Sequence, residues 1–575
     1  MTYYDEYKRW RGYEAMDPAL KQELDSIENI EEEIRDRFGR SLNFGTGGIR
    51  GRMGAGPGRI NIYLIRQATL GLARYLKTVH PDKKNLSVCI AYDTRENSAR
   101  FARETAGVLA YEGIQARLFP QPTPTPMLSY AVRELAADAG VVITASHNPP
   151  SDNGYKVYGP DGGQITDGFA KAVMAQIAAV TDELAVPVAE FAEAEGKGLI
   201  CWVDPEVEER YLQQVCAISL RKGWGAEKTL PIRVVYTPLH GTGARFGPEI
   251  LKRSGMMNVY PVPEQMIMDP ACPTVKYPNP EDFDVFQLAI QLGIKEGAEL
   301  LLATDLDGDR LGAVVRNKEG DYVPLTGNQL GCLMLDYLLS QRRKNGTLPP
   351  NGMMVQTVVT SGLGKAIASA YGIETVETLT GFKYIGEVIK ERGDSHKNVF
   401  LFGYEESYGY LAGDFVRDKD AFQAILLAAE ITVFHQSQGN SLLDALEAIY
   451  KRFGYFMEEL MNIDLPPGDI ARVEGIMGRF RQEEIKRLGG SPVVTVFDYL
   501  YRTEKNMSDG KTREVMLPSN NSLKYVALDG SWFCIRPSGT EPKMKLYVGV
   551  VGADQEDSQK KMLALRNEIV QLIGI

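Results

Sequence analysis

The sequence predicts an α/β protein that ends in a smaller α+β segment. Three observations carry this. From about residue 41, short runs rich in Val, Ile and Leu alternate with helical stretches, the pattern of buried strands with covering helices. Three of these runs, in AGVVITASHN, AELLLATDLDGDR and NVFLFGYEES, break off into Ser146, into three aspartates and into two glutamates. Open α/β sheets place ligands at such carboxyl ends. The third observation is length: 575 residues, at about 150 per domain, gives roughly four domains.

The parts follow in order. Residues 1–40 read as a helical extension, because Asp17-Pro18 is a cap followed by proline at the first helical position and LKQELDSIENIEEEIRDRF runs on from it. No chemistry is evident there. Residues 41–204 form a first α/β part; the small-residue, charged stretch VPVAEFAEAEGKG (186–198) precedes Asp204-Pro205, a second cap-plus-proline start. Residues 205–322 form a second part, and EGDYVPLTGNQ (319–329) separates its aspartates from the next helix. Residues 323–453 form a third. GYFMEELMNIDLPPGD (454–469) then leads into the α+β segment, 454–575. The three strand ends are unequally spaced, so they show a repeated design and not a strict sequence repeat.

Composition excludes several classes. Hydrophobic residues make up 44% and charged residues 24%, which excludes disorder and supplies a core for each part. No run approaches the ~18 apolar residues of a membrane span, and the polar start MTYYDEYKRWRGYEAMD shows no secretory signal. The six cysteines (89, 201, 216, 272, 332 and 534) lie far apart with no CxxC. They read as reduced and mostly buried in a cytoplasmic protein. The net charge is −11, which argues against nucleic acid as a partner. Any phosphate site must therefore be a local cluster of Arg and Lys.

Four segments carry chemistry. In TASHNPPSDNGYKVYGPDGG (144–163), Ser146 follows a buried strand beside His147. An isolated Ser-His pair is more often a capped turn, and a hydrolase nucleophile is disfavoured because G-x-S-x-G is absent. In DLDGDR (305–310), carboxylates at i, i+2 and i+4 can converge on one hard cation such as Mg²⁺. An EF-hand fails, because Gly308 comes too early and Arg316 stands where a bidentate Glu is required. An aspartate-nucleophile phosphatase competes, although Asp309 and Arg310 stand where a small hydroxyl residue is expected. In IRPSGTEPKMKLYV (535–548), Arg536 offers a planar fork for phosphate, Ser538 and Thr540 offer hydroxyls, and Gly539 opens the backbone to an anion. In GYEESYGY (403–410), carboxylates and a serine suit a diol. GTGGIRG (45–51), TGFKY (380–384) and Lys419 of RDKDA add single cations. Together they describe phosphoryl transfer on a phosphosugar.

TASHNP, DLDGDR, GYEESYG and RPSGTEP, in this order over roughly residues 40–550, resemble the α-D-phosphohexomutases, and most nearly their bacterial phosphoglucomutase branch. That resemblance implies three related α/β domains and a smaller C-terminal α+β domain, heart-shaped around a central cleft. It implies that Ser146 is phosphorylated in the active enzyme and that Mg²⁺ is held by that phosphate with Asp305, Asp307 and Asp309. Arg310 would contact the phosphoserine. Glu405 and Ser407 would grip the sugar hydroxyls, and Arg536, Ser538, Gly539 and Thr540 the non-transferring phosphate. Gly381, Phe382 and Lys383 resemble the loop that senses the sugar's orientation. Arg50, His147, Lys156 and Lys419 match basic positions. Lys156 is the first choice of general base and His147 its competitor, and spacing does not choose between them.

The implied reaction interconverts glucose 1-phosphate and glucose 6-phosphate through glucose 1,6-bisphosphate. Mannose and pentose phosphates are alternatives within the family; a Mg²⁺-dependent sugar-phosphate phosphatase and a non-catalytic sensor are rivals outside it. Tyr404 is inserted where many relatives read Gly-Glu, which bears on sugar specificity. The oligomeric state is not encoded in any of these features.

Overall fold

A computed structural model describes residues 2–42, 44–45, 47–221, 232–464, 470–537 and 543–573. The chain forms two compact units, Met1–Leu330 with Phe382–Gly439, and Gly331–Gly381 with Asn440–Ile575. The stretch expected as one third part is thus shared between them.

The first unit holds two sheets of one design. In the first sheet, Ala139–Ile143, Ser87–Tyr92, Gln115–Leu118 and Ile200–Trp202 run parallel, in that order. Asp152–Tyr158 returns antiparallel beside Ala139–Ile143, and Gly48–Arg52 closes the edge. In the second, Leu300–Thr304, Arg233–Thr237 and Asn258–Pro261 are parallel. Leu311–Arg316 and Tyr322–Leu325 return antiparallel. In both sheets the chain first moves to one side of the starting strand and then to the other. The crevice at that reversal is where doubly wound sheets bind ligands. A third strand, Val399–Glu405, also turns back antiparallel, into Gly409–Leu411. Each chemistry-bearing run therefore ends in a loop that leads to a return strand.

The expected cut at 322/323 falls inside the strand Tyr322–Leu325. Pro324 suits that place, because the strand lies at the sheet edge and pairs only with Leu311–Arg316.

The N-terminal residues fold as helices Tyr3–Arg11, Pro18–Ser26 and Glu31–Phe38. Thr2 caps the first in a capping box, and Asp17 caps the second with Pro18 at its start. They are more than an appendage. Tyr7, Trp10, Leu24, Ile34 and Phe38 join the core of the first sheet, and Trp10 meets Tyr63 edge to face at 5.4 Å. The loop 53–59 rests on them: Glu23 accepts from the Ala55 amide at 3.0 Å, and the Gly58 amide donates to the Arg37 carbonyl at 2.8 Å. A Cβ on Gly58 would lie 2.8 Å from that carbonyl, so only glycine permits the approach.

In the second unit, Gly352–Thr357 and Glu374–Thr378 pair in parallel. The strands from Tyr455–Asp464 to Lys543–Gly552 build an antiparallel sheet covered by helices Ile470–Gln482 and Gln555–Ile573, the expected α+β segment. The stretch 454–469, read as a separator, contributes its edge strand Tyr455–Asp464. Among the described residues, no helix is long and apolar enough to cross a membrane. None of the six cysteines forms a disulfide, and Cys89, Cys272, Cys332 and Cys534 are buried.

Trp10→Ala should remove about 3–5 kcal/mol from the first sheet's domain. The measurement is the urea midpoint, and a freely dispensable extension would leave it unmoved.

Candidate active site

Ser146 sits just past the strand Ala139–Ile143 with φ +53°, a left-handed conformation that costs a non-glycine residue about 1–2 kcal/mol. Its surroundings hold it there. The Ser146 amide donates to Thr144 Oγ1 at 2.8 Å. The guanidinium of Arg95 donates to the carbonyls of Ser146, Asn148 and Pro149 at 2.6 Å and of Asp152 at 2.9 Å. The Arg95 side chain is fully buried, as is that of its ion-pair partner Asp93. Arg95 thus orders the whole loop by satisfying carbonyls that would otherwise be buried without donors. Ser146 itself is buried. Its Oγ donates to Asp305 Oδ2 at 2.7 Å and lies 3.2 Å from His147 Nδ1.

The aspartate loop leaves the strand Leu300–Thr304 in the same way. Asp305 Oδ1 accepts the amides of Asp309 and Arg310 at 3.1 Å. Gly308 turns with φ +65°, and a Cβ there would meet Phe422 at 2.9 Å and Pro124 at 3.0 Å. Gly241, after the strand Arg233–Thr237, lets the neighbouring loop close in: its Cβ would lie 2.6 Å from Leu306 Cα. The three carboxylates are wholly buried, and one ligand oxygen from each lies within 4.8 Å of the others.

Burying three carboxylates together requires cations. Lys156 Nζ, from the return strand Asp152–Tyr158, lies 2.9 Å from Asp307 Oδ2 and 3.7 Å from Asp309 Oδ2. Lys419 Nζ lies 2.9 Å from Asp309 Oδ2. Thr125 donates to Asp307 Oδ2 at 3.0 Å. Burial would raise the Asp307 pKa, but Lys156 and the surrounding hydrogen bonds hold it below the carboxylate range. Burial, with Asp309 and Asp307 nearby, pushes Asp305 well above that range. Asp309, Asp418 and Glu405 overcome burial and draw Lys419 upward. His147 falls well below the ordinary imidazole value through desolvation and the charges of Arg310 and Arg50, so its ring is neutral. Asp307 Oδ1 and Asp309 Oδ1 make no hydrogen bond among the described residues, and Asp309 Oδ2 is held through its ion pairs with the two lysines. Oxygen donors so placed fit a hard divalent cation.

Glu405 ends its strand buried, and burial raises its pKa against Lys419 and Arg310. Ser407 hydrogen-bonds to it. Gly409 makes room for the pair Glu405 and Lys419, because its Cβ would meet Lys419 Cδ at 2.5 Å. Arg310 pairs with Glu281 and bridges to Gly409 in antiparallel fashion. Tyr404 is fully buried and stacks on Phe402 at 5.7 Å, so the insertion lies in the strand's core.

The structure thus gathers Ser146, His147, Lys156, Asp305, Asp307, Asp309, Arg310, Glu405, Ser407 and Lys419 in one contiguous network. Arg50 is exposed and joins through Asn148 Oδ1 at 3.0 Å. Phe382 is buried at the start of the helix Phe382–Val388, and Lys383 Nζ lies 3.4 Å from Asp167. In the second unit, Gly381 has φ +114°, and Arg536 donates to Thr380 Oγ1. Ser538, Gly539 and Thr540 lie outside the described residues. Sequence reasoning missed Arg95, Asp93, Thr125 and Gly241. A signal existed for the first two, because Asp93-Thr94-Arg95 follows the buried run SVCIAY, again a polar strand end.

A buried serine 2.7 Å from a buried carboxylate triad, at the crevice of doubly wound sheets, is an arrangement that suits phosphoryl transfer. The chain matches the phosphoglucomutase/phosphomannomutase models for α/β/α domain I over residues 41–183, domain II over 209–320, domain III over 326–453 and the C-terminal domain over 460–566. A phosphoglucomutase of Staphylococcus epidermidis (strain ATCC 35984) is 37% identical over 93% of this chain and 95% of its own. One of Staphylococcus aureus (strain MRSA252) is 36% identical over 96% and 97%. A solved phosphoglucomutase/phosphomannomutase family protein from Burkholderia thailandensis shares the fold, with a TM-score of 0.67 at 17% identity over 92% of this chain and 97% of that one. The chain belongs to the phosphoglucomutase/phosphomannomutase family, with its three α/β domains and C-terminal domain.

Arg95→Met strands four carbonyls and the buried Asp93 carboxylate. It should cost about 3 kcal/mol or more, read as a fall in the urea midpoint. A divalent cation should raise the melting temperature of the wild-type chain, by about 2.7 kcal/mol of stability at a hundred times its Kd. Asp309→Asn should lose most of that rise.

Proposed function

We propose that the protein is a phosphoglucomutase, an isomerase that interconverts glucose 1-phosphate and glucose 6-phosphate through phosphoserine 146. The observation that carries this is the 2.7 Å contact of Ser146 Oγ with Asp305, inside a triad with unsatisfied oxygens. The names of the relatives above support the choice of sugar. A reduced, cytoplasmic setting fits six cysteines that form no disulfide.

In the forward direction, O6 of glucose 1-phosphate attacks the phosphorus of phosphoserine 146. The O6–P bond forms, the P–Oγ bond breaks, and the proton lost from O6 is balanced by one taken up at the departing Ser146 Oγ. The resulting glucose 1,6-bisphosphate turns over. Ser146 Oγ then attacks the C1 phosphoryl, whose bond to O1 breaks, and O1 takes up a proton. His147 is the group assigned to the Ser146 proton: its neutral ring has Nδ1 3.2 Å from Oγ. Lys156, set against two carboxylates, serves as a charge partner, as does Lys419. Asp305, Asp307 and Asp309 would hold Mg²⁺, which polarises the phosphoryl oxygens when bound. Arg310 and Arg50 offset charge on the transferring group. Glu405 and Ser407 read sugar hydroxyls. Arg536, with Ser538, Gly539 and Thr540, holds the non-transferring phosphate, and Gly381, Phe382 and Lys383 respond to the sugar's orientation.

The test is formation of glucose 6-phosphate from glucose 1-phosphate with Mg²⁺ and trace glucose 1,6-bisphosphate. Ser146→Ala should lose about three orders of magnitude in kcat or more. A phosphatase acting through Asp305 would instead keep releasing inorganic phosphate. Equal rates on mannose and ribose 1-phosphates would defeat the glucose assignment.

His147→Ala should lower kcat about 10²–10⁴-fold and remove the acidic limb of the pH–rate profile. Lys156→Met should leave that limb in place. The opposite pattern would return the base role to Lys156.

A further inference from the structure

A second cavity lies within the second unit, about 450 Å³ in volume, inside the range of small-molecule sites. One wall is the C-terminal sheet. Phe497 stands opposite Lys524 in the register, and Val526 opposite Trp532. Tyr499 stacks on Phe497 at 5.9 Å with rings nearly parallel. The other wall, residues 358–377, adds Lys365 and Glu377. The cavity is therefore lined with flat aromatic surface.

Its polar groups are few and placed. Lys524 is 8% exposed. Its Nζ donates to the Val358 carbonyl at 2.5 Å and sits 4.5 Å from the Trp532 ring centre. An ammonium carries three donors, and Val358 is its only hydrogen-bond acceptor among the described residues. Lys365 pairs with one oxygen of Glu377 at 2.6 Å. The other Glu377 oxygen is buried with no hydrogen-bond partner. Two cations, one carboxylate with a vacant acceptor and a set of rings have no part in the reaction above.

We propose that this cavity binds a small aromatic anion, its ring against Trp532 and Phe497, its charged group on Lys524 and Lys365, and an N–H or O–H donor on Glu377. Nucleoside monophosphates have this chemistry, as do simple aryl acids. Aromatic stacking and charge-assisted hydrogen bonds would share the recognition. Such an occupant would touch the same two segments that meet at Arg536 and Thr380.

The intact protein is titrated with 8-anilinonaphthalene-1-sulfonate and, separately, with adenosine monophosphate, while tryptophan fluorescence is followed. One saturable site is expected for at least one probe. Lys524→Met should weaken it by about tenfold or more, and Lys365→Ala, on a half-exposed side chain that leaves the core intact, by about threefold or more. Saturating glucose 1-phosphate with Mg²⁺ should not displace the probe. Absence of a saturable site for both probes, wild-type affinity in Lys365→Ala, or one-for-one displacement by glucose 1-phosphate would overturn the proposal.

Discussion

The burial of three carboxylates at one point is the constraint on which the first unit depends. Removing each from water costs several kcal/mol even after relaxation, so the triad exists only with its counter-charges. Those arrive from two other places in the fold: Lys156 from the return strand of the first sheet, and Lys419 from the segment after Gly409–Leu411. Because both lysines end within hydrogen-bond distance of an aspartate, the segments that carry them have little freedom. The backbone repeats the restriction. The Thr125 amide donates to the Asp307 carbonyl at 2.8 Å, and the Leu311 amide to the Tyr408 carbonyl at 3.1 Å. The electrostatics and the hydrogen-bond ladder fix the same arrangement, which gives a preorganised site that pays no reorganisation when charge develops.

The serine loop shows how strain is held. A left-handed Ser146 is unfavourable by itself, yet it aims Oγ at Asp305. Arg95 contributes four hydrogen bonds to carbonyls of that loop, more than the ~1–2 kcal/mol of the unfavourable conformation. Lysine could not do this, because a point ammonium lacks the planar fork that spans four acceptors. Asp93 in turn keeps the buried guanidinium paired, so a chain of partners runs from the strand Ser87–Tyr92 to the reactive hydroxyl.

What was legible in the sequence was local. The α/β alternation, the cap-plus-proline helix starts and the polar strand ends all reside in short windows. Ser146, the triad and Glu405 could therefore be named from their own segments. Partnerships were not legible. Nothing near Lys156 announces Asp307, and nothing near Arg95 announces the carbonyls it serves, because backbone acceptors leave no mark in a sequence. The same blindness concealed two edge strands. Tyr322–Leu325 carries a proline and Tyr455–Asp464 precedes two, so both read as separators, although an edge position tolerates the missing donor. Lys383 shows the same limit: its ammonium lies 3.4 Å from Asp167, a partner its own motif does not announce.

The acidic balance of the chain bears on this site less than its sign suggests. Exposed charges are screened over about 8–10 Å at physiological salt, so surface acids such as Glu31 and Glu32 (exposed, on the helix Glu31–Phe38) act at a distance only weakly. Lys156, Lys419 and Arg310 are largely shielded from solvent, where ions penetrate poorly and pair energies are several-fold larger. A net charge of −11 therefore describes solubility and long-range encounter. The local field that meets a phosphate is set by a few buried cations and by the carboxylates they face. A divalent cation added at the triad would neutralise carboxylate charge that now holds Lys156 and Lys419, and so would turn more of their field toward a phosphoryl group on Ser146.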